Sequence, residues 1–260
     1  MEFKRIVNIY FSATGNTKKI LHSMGEVYDL PMVDVDITSY KEHDKEYTFY
    51  RDDLVLVGMP VYGGRIPAPA QVRLAHMHGN HTMVVLMADY GNRAYEDALL
   101  EMENIVKANG FFVGAAAAFV AEHSIMHSVA KNRPDVEDEK KIKSFMQDVK
   151  EKFSALTKVE ELLPLHLPGM YPYRSFDGVP LKPKASDACN ACGLCASLCP
   201  MHAIPVEDPK STDHNVCISC MRCIAVCPQH ARKLNKVMLS PAEKVFALKN
   251  RDRQEPEFFL

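Results

Sequence analysis

The sequence predicts an α/β protein, a doubly wound parallel sheet followed by a second, smaller domain. Three observations lead there. Over about the first 155 residues, strand-like apolar runs alternate with helical periodicities. The periodicity then stops in a stretch dense in proline and glycine, and all eight cysteines of the 260-residue chain fall after residue 188. A chain of this length exceeds one average domain.

The first strand is nearly continuous in apolar residues: Ile6, Val7, Ile9, Tyr10 and Phe11. A helix begins near Lys18. Val33 to Ile37 reads as the second strand, with Asp interleaved, and Leu54 to Val57 as the third. Met83 to Met87 and Phe111 to Val120 follow, each rich in Val, Leu, Phe or Ala. Between these two, Tyr95, Ala98, Leu99, Met102, Ile105 and Val106 recur at three or four, with Gly110 as a stop signal. Ile142, Phe145, Met146, Val149, Phe153 and Leu156 do the same, with Lys and Glu opposite. Five strands alternating with helices give a parallel sheet covered on both faces.

From Leu163 to Ser186 there is no periodicity, only Pro164, Pro168, Gly169, Pro172, Gly178, Pro180 and Pro183. Tyr171, Tyr173 and Phe176 argue against a floppy tether, because three rings gain by packing. The divisions are therefore 1–160 for the sheet domain, 161–185 for the connector, 186–236 for the cysteine domain, and 237–260 for a helix and charged tail. That tail ends in Phe258-Phe259-Leu260, and whether it docks on the body or on a partner is open at this point.

The cysteines form two copies of one spacing: Cys189-x2-Cys192-x2-Cys195-x3-Cys199-Pro200 and Cys217-x2-Cys220-x2-Cys223-x3-Cys227-Pro228. Segments 189–203 and 217–231 align without gaps and share all four Cys, the Pro and the following His-Ala, an internal repeat. Paired C-x2-C also makes zinc sites, but those use two separated pairs, not three Cys in seven residues plus a Cys-Pro. The spacing resembles that of the two-cluster bacterial ferredoxins, in which the fourth Cys of each run ligates the other cluster. The resemblance implies one 4Fe-4S cluster on Cys189, Cys192, Cys195 and Cys227, and another on Cys217, Cys220, Cys223 and Cys199. It also implies a domain that is unfolded without iron. The Gly usual after the second Cys is present as Gly193 and replaced by Met221 in the second copy, beside Arg222.

After the first strand comes Ser12-Ala13-Thr14-Gly15-Asn16-Thr17. Hydroxyls and free N–H groups at a strand-to-helix turn make a phosphate cradle, although Ser and Thr there also suit an ordinary helix cap. It is neither a Walker loop nor a G-x-G-x-x-G turn. It resembles the phosphate loop of flavodoxins, which binds the monophosphate of FMN. Two more glycine-bearing loops follow strands three and four, Pro60-Val61-Tyr62-Gly63-Gly64-Arg65 and Asp89-Tyr90-Gly91-Asn92-Arg93-Ala94-Tyr95. Both lie at the carboxyl edge of the sheet, where open α/β folds bind ligands. Tyr62 and Tyr90 offer faces for a flavin ring.

The whole chain thus resembles the flavodoxin-ferredoxin fusion proteins of anaerobic bacteria and archaea. That resemblance implies strand order 2-1-3-4-5, FMN and two 4Fe-4S clusters. FMN contacts are expected from Ser12, Thr14, Gly15, Asn16, Thr17, Pro60, Val61, Tyr62, Gly63, Gly64, Asp89, Tyr90, Gly91, Asn92 and Tyr95. Segment 122–135 exceeds an ordinary flavodoxin. His123 and His127, at i and i+4, would share a helix face, but two histidines do not specify a metal site and lining the flavin is the favoured reading. His123, Arg65 and Arg93 are the candidates for holding an anionic substrate or tuning the flavin.

The formal charge of −2 falls to about −8 once two clusters and a flavin phosphate are counted, and no basic block is present, which opposes nucleic-acid binding. The start at Met1 carries no signal-peptide pattern, so a reducing cytosol is expected. No apolar stretch approaches the roughly 18 residues of a membrane span. The leading function is electron transfer between FMN, the clusters and a soluble redox partner, a ferredoxin-dependent reductase or oxidoreductase. The alternative is an FMN-dependent oxidoreductase acting on NAD(P)H or a small substrate, although no nicotinamide-binding motif is present. A redox sensor is a third class, disfavoured by the lack of a DNA-binding or signalling module. Oligomeric state, a homodimer included, is not legible.

Overall fold

The computed structural model describes residues 1–260. Strands β1 (Arg5–Tyr10), β2 (Met32–Asp36), β4 (Asp53–Pro60), β6 (Thr82–Tyr90) and β7 (Phe111–Val120) form a parallel sheet. Its order is β2-β1-β4-β6-β7, the expected 2-1-3-4-5 topology of a flavodoxin-like domain. Helices α1 (Asn16–Gly25) and α4 (Val136–Ser154) cover one face, and α2 (Ala68–Leu74) and α3 (Ala98–Ala108) the other. Each face carries its own apolar cluster, one built around Ile6, Leu54, Val85 and Phe145, the other around Val7, Val55, Val84 and Leu99. This double burial is why the strands lack alternation: β6 is buried at every position.

Three features go beyond the five expected strands. A two-stranded parallel pair, β3 (Tyr47–Tyr50) with β5 (Met77–Asn80), lies beside the sheet, and α2 fills the connection after β4. Helix α3 starts at Ala98, three residues after Tyr95. The C-terminal tail adds a sixth strand to the main sheet: β10 (Glu257–Phe259) pairs antiparallel with β7, and Phe258 packs on Phe119 and Phe145. The tail therefore docks on the body, and the sheet domain is completed by the last residues of the chain.

The cysteine domain is small, with helices α5 (Leu194–Ser197) and α6 (Arg222–Ala225). Its two ends are zipped by β8 (Lys184–Ala185) against β9 (Arg232–Lys233). Helix α7 (Lys236–Lys249) then crosses back to the tail. No helix is long and apolar enough to cross a membrane.

Candidate functional site

The two long helices of one face begin differently. Asp135 caps α4 in a reciprocal capping box with Asp138. Helix α1 has no side-chain cap and is preceded by Gly15 in left-handed backbone, φ 102°. Ser12 pins the loop ends: its N–H donates to Thr38 Oγ1 (2.6 Å) and its Oγ accepts from Lys18 N–H (3.1 Å). Between them, the N–H groups of Ala13 through Thr17 donate to no protein acceptor. Unspent donors at the positive end of a helix form an anion cradle.

From this cradle three connected hollows run along the carboxyl edge of the sheet. The first, about 340 Å³, is lined by Thr14, Asn16, Lys19 and, from the cysteine domain, Met221 and Ile224. A neck bounded by Thr17, Pro60 and Asp89 leads on. The last, about 300 Å³, is walled by Tyr62, Gly63, Tyr90, Gly91 and His123. Ser124 borders all three. An elongated ligand with a phosphate at one end and a flat ring at the other fits this shape. A larger hollow of about 620 Å³ lies beyond the shared wall of Tyr62, Phe176, Val179 and Ile218, but it touches no part of the cradle.

Asp89 sits in the neck, buried, with its Oδ1 left without a partner. Burial pushes its carboxyl up to about 6. An orphaned acceptor beside a narrow passage suits a hydroxyl donor on a ligand, and with the cradle it makes these residues a fit for FMN. Residues 62–65 form a tight reversal, with Tyr62 N–H donating to Arg65 O (2.8 Å) and positive φ at Gly63 and Gly64. Gly63 is pressed by the ring of Phe176, so a side chain would not fit there. His123 Nδ1 accepts from Ile125 and Met126 N–H (3.1 and 3.2 Å), which leaves the proton on Nε2. Burial holds this imidazole down at about 4, so it is a neutral donor.

Several expected residues are turned elsewhere. Asn92 grips the tail, donating to Asn250 O and Asp252 O (both 2.8 Å) and accepting from Gln254 N–H. Tyr95 donates to Glu257 (2.7 Å). Neither lines the hollows, so both side chains strap down the C-terminus. Arg65 is held by buried Glu101 and lies over the Tyr173 ring, which removes it from the ring cavity. Arg93 borders the cavity, paired with Glu96. His127 is not on a helix with His123; it pairs with Glu122 (2.8 Å). The sequence reading missed Phe176, Val179 and Leu181 of the connector, and Ile218, Ser219 and Phe246 beyond it, all of which wall the cavity. The three connector aromatics were its one available signal: Phe176 and Tyr173 pack, while Tyr171 stays exposed.

The cysteine runs are conformational copies. Ala191, Gly193 and His202 have positive φ in the first, and Ser219, Met221 and His230 at the same places in the second. Backbone N–H groups point at sulfur in matching pairs, Ala203 to Cys199 and Ala231 to Cys227 (both 3.3 Å). Such donors stabilise thiolates bound to iron. Burial raises Cys220 and Cys223 to about 12, and the neighbouring thiols of Cys199 and Cys217 add to it. Cys199 of the first run thus lies near enough to Cys220 and Cys223 of the second for its charge to act on both. At Cys227 burial opposes ionisation, but the N–H groups of Arg232, Ala231 and Gln229 outweigh it and draw the thiol below its usual range.

Residues 184–232 match the family described as the 4Fe-4S dicluster domain. The stretch coincides with the segment zipped by β8 and β9. For the sheet domain the similar solved structures are distant. The Flv1 flavodiiron core from Synechocystis sp. PCC6803 is 17% identical, with a TM-score of 0.42 over 58% of this chain and only 36% of that one. A flavodoxin from the domain Archaea is 14% identical over 58% of this chain and 99% of its own, with a TM-score of 0.37. The Fusobacterium nucleatum flavodoxin bound to flavin mononucleotide is 16% identical over 58% and 99%, with a TM-score of 0.39. No curated protein matches the chain. The strand order itself carries the fold.

The cysteine domain is bolted to the sheet domain by two arginines acting in opposite directions. Buried Arg73 of α2 donates to Ile37 O (2.8 Å), Thr38 O (3.1 Å) and, across the boundary, Pro200 O (2.6 Å). Arg222 of the second run reaches back to Ser12 O (3.0 Å) at the cradle. Cys220 packs within the apolar cluster of the sheet domain, and its proximity adds to the burial that holds the Tyr62 phenol well above its usual range. The second run therefore forms part of the cavity's surroundings.

Proposed function

We propose that this protein is an iron-sulfur flavoprotein that passes electrons between FMN and two 4Fe-4S clusters, and from these to or from a redox partner protein. One observation carries the reading. Ile218 and Ser219, which lie between the first two cysteines of the second run, line the same cavity as Tyr62, Tyr90 and His123. Bound FMN would supply chemistry in which electrons move in pairs or singly, whereas each cluster handles one at a time.

The chain's own residues take the remaining roles. N–H groups of Ala13 to Thr17 receive the phosphate, Asp89 accepts from a ligand hydroxyl, and Tyr62 and Tyr90 flank the ring. His123 offers a neutral Nε2–H donor. Phe176 and Phe246 wall the cavity from the connector and from α7.

Anaerobic reconstitution followed by iron, sulfide and flavin analysis tests the assignment, with about eight iron expected per chain together with one FMN. Photoreduction of the flavin should then bleach the cluster absorbance. Rapid, saturable bleaching of the flavin by NADH or NADPH would instead support an oxidoreductase acting on nicotinamide.

A further inference from the structure

The walls of the ring cavity are not equally anchored. Tyr90 belongs to the fully buried β6, Leu181 is buried, and Ile218 and Ser219 belong to a domain held by buried Arg73. The wall supplied by Phe246 differs, because α7 has no buried residue along its 14 positions. On the side toward the body Leu239, Glu243, Phe246 and Ala247 are half-buried, while Val237, Val245 and Leu248 opposite are exposed. Pro241 inside the helix also lacks an N–H for the ladder.

The two ends of α7 are fixed. Before it, β9 is zipped to β8 and ends at Lys233, two residues ahead of the cap Asn235. After it, Asn92 binds Asn250 O and Asp252 O, Arg133 donates to Gln254 O (2.7 Å), and β10 pairs with β7. Between these anchors α7 rests on segment 122–135. The Glu243 carboxylate accepts from Ser128 N–H (3.0 Å) and Oγ–H (2.7 Å), and the Phe246 ring meets His123 edge-on at 5.2 Å. That segment is firm, since buried Arg133 is held by Asp138 and its carbonyl accepts from Glu122 N–H (3.0 Å). An element with few buried contacts between firm ends opens at low cost.

We propose that α7 is a lid over the ring end of the cavity, latched by Glu243 on Ser128, and that the flavin passes in and out only when α7 lifts between its fixed ends. This rests on the FMN reading given above. Lifting carries Phe246 away from His123, while the tail stays on β7.

A lid and a wall differ in kinetics. A side chain that only touches the bound ring holds back release and leaves entry alone. A latch keeps both the empty and the loaded protein closed, so weakening it speeds entry and release by one factor and leaves Kd unchanged.

The test uses the full chain with clusters assembled and flavin absent. FMN entry is read anaerobically in stopped flow as loss of flavin fluorescence, and release as its recovery on large dilution. Glu243→Ala, which keeps a good helix former in place, should raise both rates about tenfold, as expected for losing hydrogen bonds to a charged group. Ser128→Ala should raise both by a smaller common factor, and the double variant no more than Glu243→Ala alone. Lys244→Ala, at an exposed neighbouring position, should change neither. Hydrogen exchange in the flavin-free proteins gives a second readout: Glu243→Ala should quicken amides 243–249 about tenfold and leave 257–259 at the parent's rate. Faster release with unchanged entry makes α7 a wall and overturns the proposal. Unchanged kinetics, or 243–249 and 257–259 quickening together, overturns it as well. A parent that takes up no FMN sinks the flavin reading instead, and the exchange still decides whether α7 lifts alone.

Discussion

Asp89→Asn tests the buried carboxyl that stands in the neck of the cavity. The carboxyl is buried with an unpartnered Oδ1, and burial raises it from 3.8 to about 6. A carboxyl raised in the folded state binds its proton more tightly folded than unfolded, so stability is highest below about pH 4. It falls as pH rises through the folded value, and the cost is complete above it. At 1.36 kcal/mol per pH unit, the gap amounts to about 3 kcal/mol. The isosteric amide removes the charge and keeps an acceptor for Thr17, so the flavin-free variant should be more stable than the parent at pH 7.5. A domain of this size gains about 2–4 °C per kcal/mol, or roughly 6–12 °C in all. Thermal melts of both flavin-free proteins between pH 4.5 and 8 should show this gap closing as pH falls. FMN titration should show weaker binding by the variant, since the ionised acceptor for a ligand hydroxyl is lost. A variant that is less stable at pH 7.5, or a gap independent of pH, would show that Asp89 is already satisfied in the folded chain and that the neck is not poised for a donor.

Iron chelation should unfold residues 184–233 while leaving the sheet domain's far-UV signal, and FMN affinity should drop because Ile218 and Ser219 leave the cavity wall; circular dichroism and flavin titration read both. Arg73→Met strips three carbonyls of their donor, at about 1–3 kcal/mol for each buried group left unpaired, and should raise amide exchange at both Thr38 and the 200–203 turn. His123, lowered from 6.5 to about 4 chiefly by burial, stays neutral above pH 5; stability present above pH 6.5 is lost as pH falls toward 4. His123→Gln should abolish that loss, about 3 kcal/mol, in melts across pH 4 to 7.

The sheet was legible because its five strands are buried on both faces and so announce themselves as unbroken apolar runs. The loop with free N–H groups before α1 was legible because Ser12, Thr14, Gly15 and Thr17 stand together at the turn between β1 and α1. Side-chain direction was not. Asn92 and Tyr95 stand in the loop where a flavin contact is expected, yet both are turned by partners more than 150 residues away, Asn250, Asp252 and Glu257. Strand β10 is three residues long, and its pairing depends on the open edge of β7, which local pattern does not encode. The same holds for Arg65, whose position in a glycine-rich loop suggests a ligand while Glu101 on α3 claims it.

Met221 explains why the repeat is not symmetric. In the first run Gly193 adopts φ 77°, with no atom near the place where a Cβ would stand. In the second, Met221 holds φ 64°, a conformation that costs a residue with a side chain roughly 1–2 kcal/mol. Glycine would avoid that cost. But Met221 is only 3% exposed and lines the hollow at the cradle with Thr14 and Asn16, a burial that contributes about 1.5–3 kcal/mol. The packing term equals or exceeds the strain, and only the copy that faces the sheet domain can collect it. Arg222, the next residue, then reaches Ser12 O. Two adjacent departures from the first run thus convert one face of a two-fold repeat into an interface with the cradle, and the unmodified copy is the one left facing solvent.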